Sequence, residues 1–196
     1  MSAEIKFMWK APWRAKVPGK VKICVRRVCL AALPTRVNLK IRKVLMDDGC
    51  VFCGNEPESV EHVLLHCPHA KTIWSYSRFG SQALQQGEIG VQDWLDRLAS
   101  NLSRESFDLV LVLLWNIWNA RNELFWNGVV MPPQEIPIKA RTWLLEFKKW
   151  NTVQPKTKSD GVQKWRKPEE GWFKCSFDGV WDEHGMPLGS LLLQRQ

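Results

Sequence analysis

Apolar and polar positions repeat with a helical period along most of the chain. From Lys20 onward, apolar residues recur at Val21, Val25, Val28 and Ala32. This i, i+4, i+7, i+11 spacing places them on one face of an α-helix. The pattern therefore predicts a first helix that begins near Lys20 and buries this face.

The segments on either side of this helix contain residues that interrupt helices. Pro12 and Pro18 predict an extended N-terminal segment. After Leu33-Pro34, Thr35 can cap a second short helix, in which we expect Leu39 and Val44 to point inward.

Similar signals predict the helices of the middle and C-terminal parts. Ser59 is a suitable N-cap for a helix through Leu64, and Pro68 fits the first turn of the next helix. A linker is expected at 79–90, and a long apolar helix from about Val91 to Phe125, closed by Gly128. Pro137 is expected in a loop before an amphipathic helix over 138–150.

The last part of the chain has a different pattern. Residues 151–170 are rich in Lys, Pro, Ser and Gly, which predicts a linker. From Trp172 to Asp178 apolar and polar residues alternate, as in a β-strand. The turn residues at 182–185 could lead into a hairpin.

Four potential metal ligands lie within eighteen positions, in the spacing C-x2-C-x8-H-x4-C. Zinc prefers cysteine sulfur and histidine nitrogen in tetrahedral geometry, and four protein ligands leave no open position for catalysis. We therefore expect one structural zinc ion. Its predicted ligands are Cys50, Cys53, His62 and Cys67.

Other residues near this cluster have alternative interpretations. His66 and His69 are rival ligands, although His66 adjoins Cys67 too closely for both to bind one ion without strain. Cys24 and Cys29 lie in an apolar helix and are predicted to be core residues. Asp47-Asp48 could suggest a catalytic acid pair, but a turn before the cysteine cluster is the better interpretation.

Charge is distributed unevenly along the chain. The net charge is +8, and residues 1–46 carry twelve Lys/Arg and a single acid, Glu4. A concentrated basic segment favours a polyanionic partner such as nucleic acid, while a solvated surface is the alternative. The predicted phosphate contacts are Lys16, Lys20, Lys22, Arg26, Arg27, Arg36, Lys40, Arg42 and Lys43.

The same composition argues against secretion and membrane insertion. The N-terminal residues lack the apolar core of a signal peptide, and the strongest apolar run, Leu109–Trp115, is too short to span a bilayer. We expect an intracellular protein, with the nucleus as one candidate compartment. Neither a membrane nor a small-molecule partner is expected, and the sequence leaves the oligomeric state undetermined.

The chain resembles a known family over the segments Trp13–Lys22 and Ala31–Leu39 and over the cysteine–histidine cluster up to Trp74. This family is the zinc-binding region that follows the reverse transcriptase in plant LINE-type, non-LTR retrotransposons. The resemblance covers about 7–76 and implies the same four zinc ligands. The segment Trp115–Asn122 is similar to the helical spacer of those proteins, where we expect a structural role with Arg121 paired.

The segment Phe173–Gly179 resembles the first strand of a type 1 ribonuclease H domain. This resemblance makes Asp178 the only match to the four acids that bind two metal ions in that family. One carboxylate cannot form such a site, so no catalytic residue is assigned and we expect no enzymatic activity.

Together these patterns predict a mainly α protein. A zinc-binding helical module over 7–78 precedes a helical spacer over 91–150 and a linker over 151–170. The segment 171–196 is expected to be a truncated strand or hairpin of a ribonuclease H-like α/β fold. The favoured function is a retroelement-derived zinc module that contacts RNA or DNA. The alternatives are a fragment of an RNA–DNA hybrid ribonuclease and a purely structural, zinc-stabilised interaction domain.

Overall fold

The computed structural model describes residues 11–80 and 90–151, and the backbone of 175–181 and 187–193. The chain divides into two units, Met1–Thr152 and Val153–Gln196. Most of the predicted linkers, 81–89 and 152–170, lie outside the described residues, as does the predicted hairpin turn. In the described part of the first unit the regular elements are helical, in agreement with the predicted mainly α fold.

Six α-helices and one π-helical turn lie wholly within the described residues of the first unit. They are α1 (Gly19–Cys29), α2 (Arg36–Ile41), the π turn (His62–His66), α3 (Pro68–Tyr76), α4 (Val91–Asn101), α5 (Arg104–Asn127) and α6 (Glu135–Trp150).

The first predicted helix is confirmed up to Cys29, with Val21, Val25 and Val28 buried on one face of α1, but Ala32 of the predicted face lies beyond its end. The extended segment predicted before it is wrong in part, because residues 11–14 are helical. Ala15 and Val17 follow directly and are buried in the core. Tertiary packing of this kind commonly overrides a local preference against helix.

Helix α2 begins as predicted, but it ends before Val44, one of its predicted core residues. The Thr35 hydroxyl accepts a hydrogen bond from the Asn38 amide at 3.3 Å, which confirms the cap. Val44 is 64% exposed, so its predicted inward orientation is wrong. The helix ends at Ile41, and Lys43 adopts φ 58°, which turns the chain away from the core.

The long apolar helix predicted from Val91 to Phe125 consists of two helices. Leu102 is extended, and Ser103 caps α5 by accepting a hydrogen bond from the Ser106 amide at 3.3 Å. The predicted end is confirmed, because Gly128 has φ 67°, a left-handed conformation that glycine adopts without steric cost.

Helix α6 begins before the position that the sequence suggested. Pro137 lies in the first turn of α6 and not in a loop, so that prediction is wrong. A proline is tolerated there because the first amides of a helix have no partner within it.

A single hydrophobic core joins the cysteine-containing region to the helices that follow it. Trp74 of α3 meets Trp94 of α4 edge to face, with ring centroids 5.3 Å apart. The buried Trp74 indole donates a hydrogen bond to the Leu64 carbonyl at 2.8 Å. No helix among the described residues is both long and apolar enough to cross a membrane.

In the second unit, β1 (Cys175–Trp181) pairs antiparallel with β2 (Pro187–Leu193), which agrees with the predicted strand and hairpin. Asp178 stands opposite Ser190 in the register. Residues 172–174 of the predicted strand lie outside the described residues, and the assignment to a ribonuclease H-like fold stays a prediction.

Candidate metal centre

The four predicted ligands come together at one point of the first unit. One ligand atom from each of Cys50, Cys53, His62 and Cys67 lies within 4.8 Å of each of the others. Cys50, His62 and Cys67 are buried, and Cys53 is partly exposed. The cluster therefore lies at the edge of the core.

The spacing of these atoms fits a tetrahedral zinc site. The Sγ atoms of Cys50 and Cys67 are 3.8 Å apart, and Cys53 Sγ lies 3.3 Å from His62 Nε2. Two thiolates bound to tetrahedral zinc at about 2.3 Å would lie about 3.8 Å apart, and a thiolate and an imidazole nitrogen about 3.5 Å apart. The donor set and its geometry both fit zinc.

A short closed loop presents the first two cysteines. The Cys50 amide donates to the Glu56 carbonyl at 2.8 Å, and a bridge pairs Gly49 with Pro57. The turn after Cys53 is completed by Gly54, whose amide donates to the Cys50 carbonyl at 2.8 Å and whose φ is 67°. A side chain would be strained at this φ. Residues 54–57 after this turn are exposed.

The π-helical turn brings the other two ligands to the same side. Ser59 begins this segment as predicted, because its hydroxyl accepts from the His62 amide at 3.0 Å. The Cys67 amide then donates to the His62 carbonyl at 2.7 Å, an i→i+5 bond. Residues five apart in an α-helix are rotated by about 140° from each other. The wider π turn reduces this rotation, so both side chains can reach one ion.

Cys67 stands at the start of α3, with Pro68 in its first turn as predicted. The hydrogen bond with Cys50 raises the pKa of Cys67, as does burial, whereas the backbone amides of His69 and Ala70 lower it. The same sulfur pair lowers the pKa of Cys50 to about 4, against the effect of burial, and the Cys53 and Phe52 amides lower it further. The sulfur pair thus favours one thiolate, at Cys50, the form that binds metal, whereas Cys67 would lose its proton when zinc binds.

A carboxylate orients the histidine ligand. His62 Nδ1 lies 3.0 Å from Glu56 Oε2, while Nε2 points toward the cysteines. With Nδ1–H donating to Glu56, the Nε2 lone pair is available to the ion, and the carboxylate fixes the tautomer and orientation of the ring. Sequence reasoning missed Glu56, because its only signal is its position in the loop between two ligands.

Neither rival histidine joins the ligand group. The ring of His69 stacks on Phe52, with centroids 4.0 Å apart, and burial lowers its pKa. His66 lies at the end of the π turn and is only half-buried. The core assignment of Cys24 and Cys29 agrees with the structure, since both are buried in α1.

A buried ion pair connects the loop between Cys53 and His62 to α5 of the helical spacer. Glu58 Oε1 accepts from Arg121 Nη2 at 2.6 Å and from Nε at 3.0 Å, and both side chains are almost fully buried. The same carboxylate accepts from the amides of Arg36 and Val51 at 3.0 and 3.3 Å. Glu58 therefore connects α5, α2 and the loop between two zinc ligands, and the expected pairing of Arg121 is confirmed.

The paired aspartates before Cys50 have structural contacts. Asp47 accepts from the Gly49 amide at 3.0 Å and from Arg36 Nη2 at 2.6 Å. Asp48 lies 2.9 Å from Lys40 Nζ, and this hydrogen bond lowers the pKa of its carboxyl. Both contacts support the interpretation as a turn.

The nine predicted nucleic-acid contacts lie on or next to α1 and α2, and most of them are exposed. Lys20 Nζ lies 4.7 and 4.8 Å from the ring centroids of Trp115 and Trp143. Lys22 Nζ donates to the Trp13 carbonyl at 2.9 Å. Arg36 and Lys40 are paired with Asp47 and Asp48. Their role in binding nucleic acid stays a prediction.

Comparison with known proteins agrees with this site. Residues 1–74 match the model of a protein family described as zinc-binding in reverse transcriptase. The match contains all four ligands. Neither the comparison with curated proteins nor that with solved structures gives a match.

Cys50, Cys53, His62 and Cys67 thus form a zinc-binding group, and the predicted cofactor is confirmed. When bound, zinc cross-links the loop, the π turn and the start of α3. Four protein ligands occupy a tetrahedral ion completely, so this centre is structural and offers no position for a reacting water.

Proposed function

We propose that this chain is a retroelement-derived module in which structural zinc supports a basic surface that binds RNA or DNA. The proposal rests on the placement of the basic segment. Helix α2 of this segment is connected directly to the loop between Cys53 and His62, because the Arg36 amide donates to Glu58 of that loop. Seven of the nine predicted contacts are exposed: Lys16, Lys20, Arg26, Arg27, Lys40, Arg42 and Lys43.

Fluorescence anisotropy with a labelled single-stranded RNA and a labelled DNA duplex tests this function. Phosphate binding releases counterions, so we expect the affinity to fall steeply with salt, with a log–log slope of roughly −3 or steeper. Affinity that is absent or insensitive to salt would contradict nucleic-acid binding and leave the purely structural role.

A matched pair of variants locates the binding surface. Arg42→Gln with Lys43→Gln removes two exposed charges after α2, and Lys139→Gln with Arg141→Gln removes two exposed charges from α6. We expect the first pair to weaken binding and reduce the salt slope more than the second. Equal effects would mean that only the net charge matters.

We further propose that the chain derives from a plant LINE-type retroelement and that 171–196 represents the start of a ribonuclease H-like region. The support is the resemblance around Asp178 and the antiparallel pairing of β1 with β2.

We expect no hydrolysis of an RNA–DNA hybrid in magnesium. Cleavage by the wild type that is lost in Asp178→Asn would establish the ribonuclease alternative instead. Binding to nucleic acid would be consistent with an intracellular, nuclear location.

A further inference from the structure

A cleft with a volume of about 250 Å³ lies between α1 and α5. Lys20 and Arg27 of α1 contribute cations to its lining, and Asn119 and Asn122 of α5 contribute amides. The indoles of Trp115 and Trp118 also line it: Trp115 is partly buried and stacks on Trp143 on one side, and Trp118 is almost fully buried. None of the described residues that line the cleft carries a carboxylate. The lining therefore combines positive charge, aromatic surface and amide groups.

This combination matches the parts of a nucleotide. Aromatic surfaces stack with bases and cations contact phosphates. Side-chain amides offer both a donor and an acceptor to the edge of a base. The cleft is smaller than the roughly 300–1,000 Å³ of typical small-molecule sites, which favours one unit of a polymer over a separate ligand.

We propose that this cleft holds one unpaired base of a single-stranded nucleic acid, with Lys20 and Arg27 on the adjoining phosphates. The inference rests on the proposed function and assigns it a specific subsite. A base inside a helical duplex is stacked and paired and cannot enter such a cleft. The cleft therefore makes the protein prefer single strands to duplexes.

Ile23 allows a test that leaves the core intact. Its side chain lines the cleft and is 51% exposed, and Ile138 on α6 is 66% exposed outside the cleft. Ile23→Glu places a carboxylate where the base and phosphate would lie, and Ile138→Glu makes the same chemical change elsewhere. Arg27→Gln and Arg141→Gln form a second matched pair at exposed positions.

The measurement is the anisotropy titration of a labelled oligouridine 12-mer and of a DNA duplex of equal length. Zinc content and circular dichroism of each variant verify the fold. We expect Ile23→Glu to weaken oligouridine binding roughly tenfold or more relative to Ile138→Glu, and to affect the duplex less. Arg27→Gln should likewise exceed Arg141→Gln.

The outcomes separate this inference from the function on which it rests. If wild type binds oligouridine but the two variants of each pair behave alike, the cleft is not a subsite while the basic surface still binds. If wild type binds neither nucleic acid, the proposed function fails and the cleft proposal fails with it.

Discussion

At the residue scale, the zinc ligands could be predicted because ligand type and spacing are both properties of the sequence. The C-x2-C pair encodes its own tight turn, and the structure places all four ligand atoms within 4.8 Å of one another. The contact between Glu56 and His62 could not be predicted in the same way. It depends on how the loop closes between Gly49 and Pro57, which no local pattern specifies.

Glu56 is expected to tune the affinity for zinc without supporting the fold. Its side chain is 68% exposed, so Glu56→Ala should leave the helices intact. Loss of a carboxylate partner of a metal-bound histidine typically reduces metal affinity about 10–100-fold, and the exposure of Glu56 favours the lower end. Competition with a chromophoric chelator measures the change. Glu146→Ala, on the exposed surface of α6, is the control and should have no effect.

The five cysteines whose side chains the structure describes should differ in reactivity according to their surroundings. Burial raises the pKa of Cys24 to about 12 and that of Cys29 to about 11, so both stay protonated at pH 8. We expect neither to be alkylated by iodoacetamide in the native, zinc-loaded protein. Peptide mass spectrometry reports the modified sites. Rapid labelling of Cys24 would contradict its place in the core.

At the element scale, helices with a clear apolar face were predictable and their ends were less so. Helix α1 follows its i, i+4, i+7 pattern, and Thr35, Ser59 and Gly128 act as the sequence suggests. The break at Ser103 was missed because both flanking segments are apolar and helical. Pro137 was misplaced because a proline is compatible with either a loop or a first turn.

The Glu58–Arg121 pair makes a second prediction at this scale. Arg121→Met leaves a buried carboxylate without its cation, so we expect a loss of about 3–5 kcal/mol in the free energy of unfolding. Glu58→Ala should cost at least as much, because the amides of Arg36 and Val51 also lose their acceptor. Urea unfolding followed by circular dichroism measures both variants.

The double variant tests whether the two side chains act together. If they interact as the structure shows, the cost of Arg121→Met with Glu58→Ala is well below the sum of the single costs. Because Val51 lies between two zinc ligands, Glu58→Ala should also reduce zinc affinity. If the unfolding costs of the two single variants are additive and zinc affinity is unchanged, the ion pair does not couple the zinc-binding loop to α5.

At the scale of the whole molecule, the core was less predictable than its parts. The sequence suggests a zinc module followed by a spacer, yet residues from both belong to one hydrophobic core. The contacts that join them span long sequence separations, such as Glu58 with Arg121 and Lys16 with Asp108. Such pairings depend on the packing of whole helices and are invisible to local periodicity.

Removal of zinc should therefore affect helices that contribute no ligand. Chelation frees the loop that carries Glu58 and leaves Arg121 of α5 with a less ordered partner. We expect faster amide hydrogen exchange in 104–127 after chelation, measured by mass spectrometry. Exchange that changes only over 50–67 would show that the zinc site is energetically isolated from α5.

The most direct test of the account is zinc stoichiometry by native mass spectrometry, with circular dichroism before and after chelation. The account predicts one zinc ion per chain in the wild type, and loss of both zinc and helicity in Cys53→Ser. Cys24→Ser, which alters a cysteine outside the ligand group, should retain the ion. A wild-type protein that is fully helical without zinc, or a Cys53→Ser variant that retains it with full affinity, would contradict the central claim.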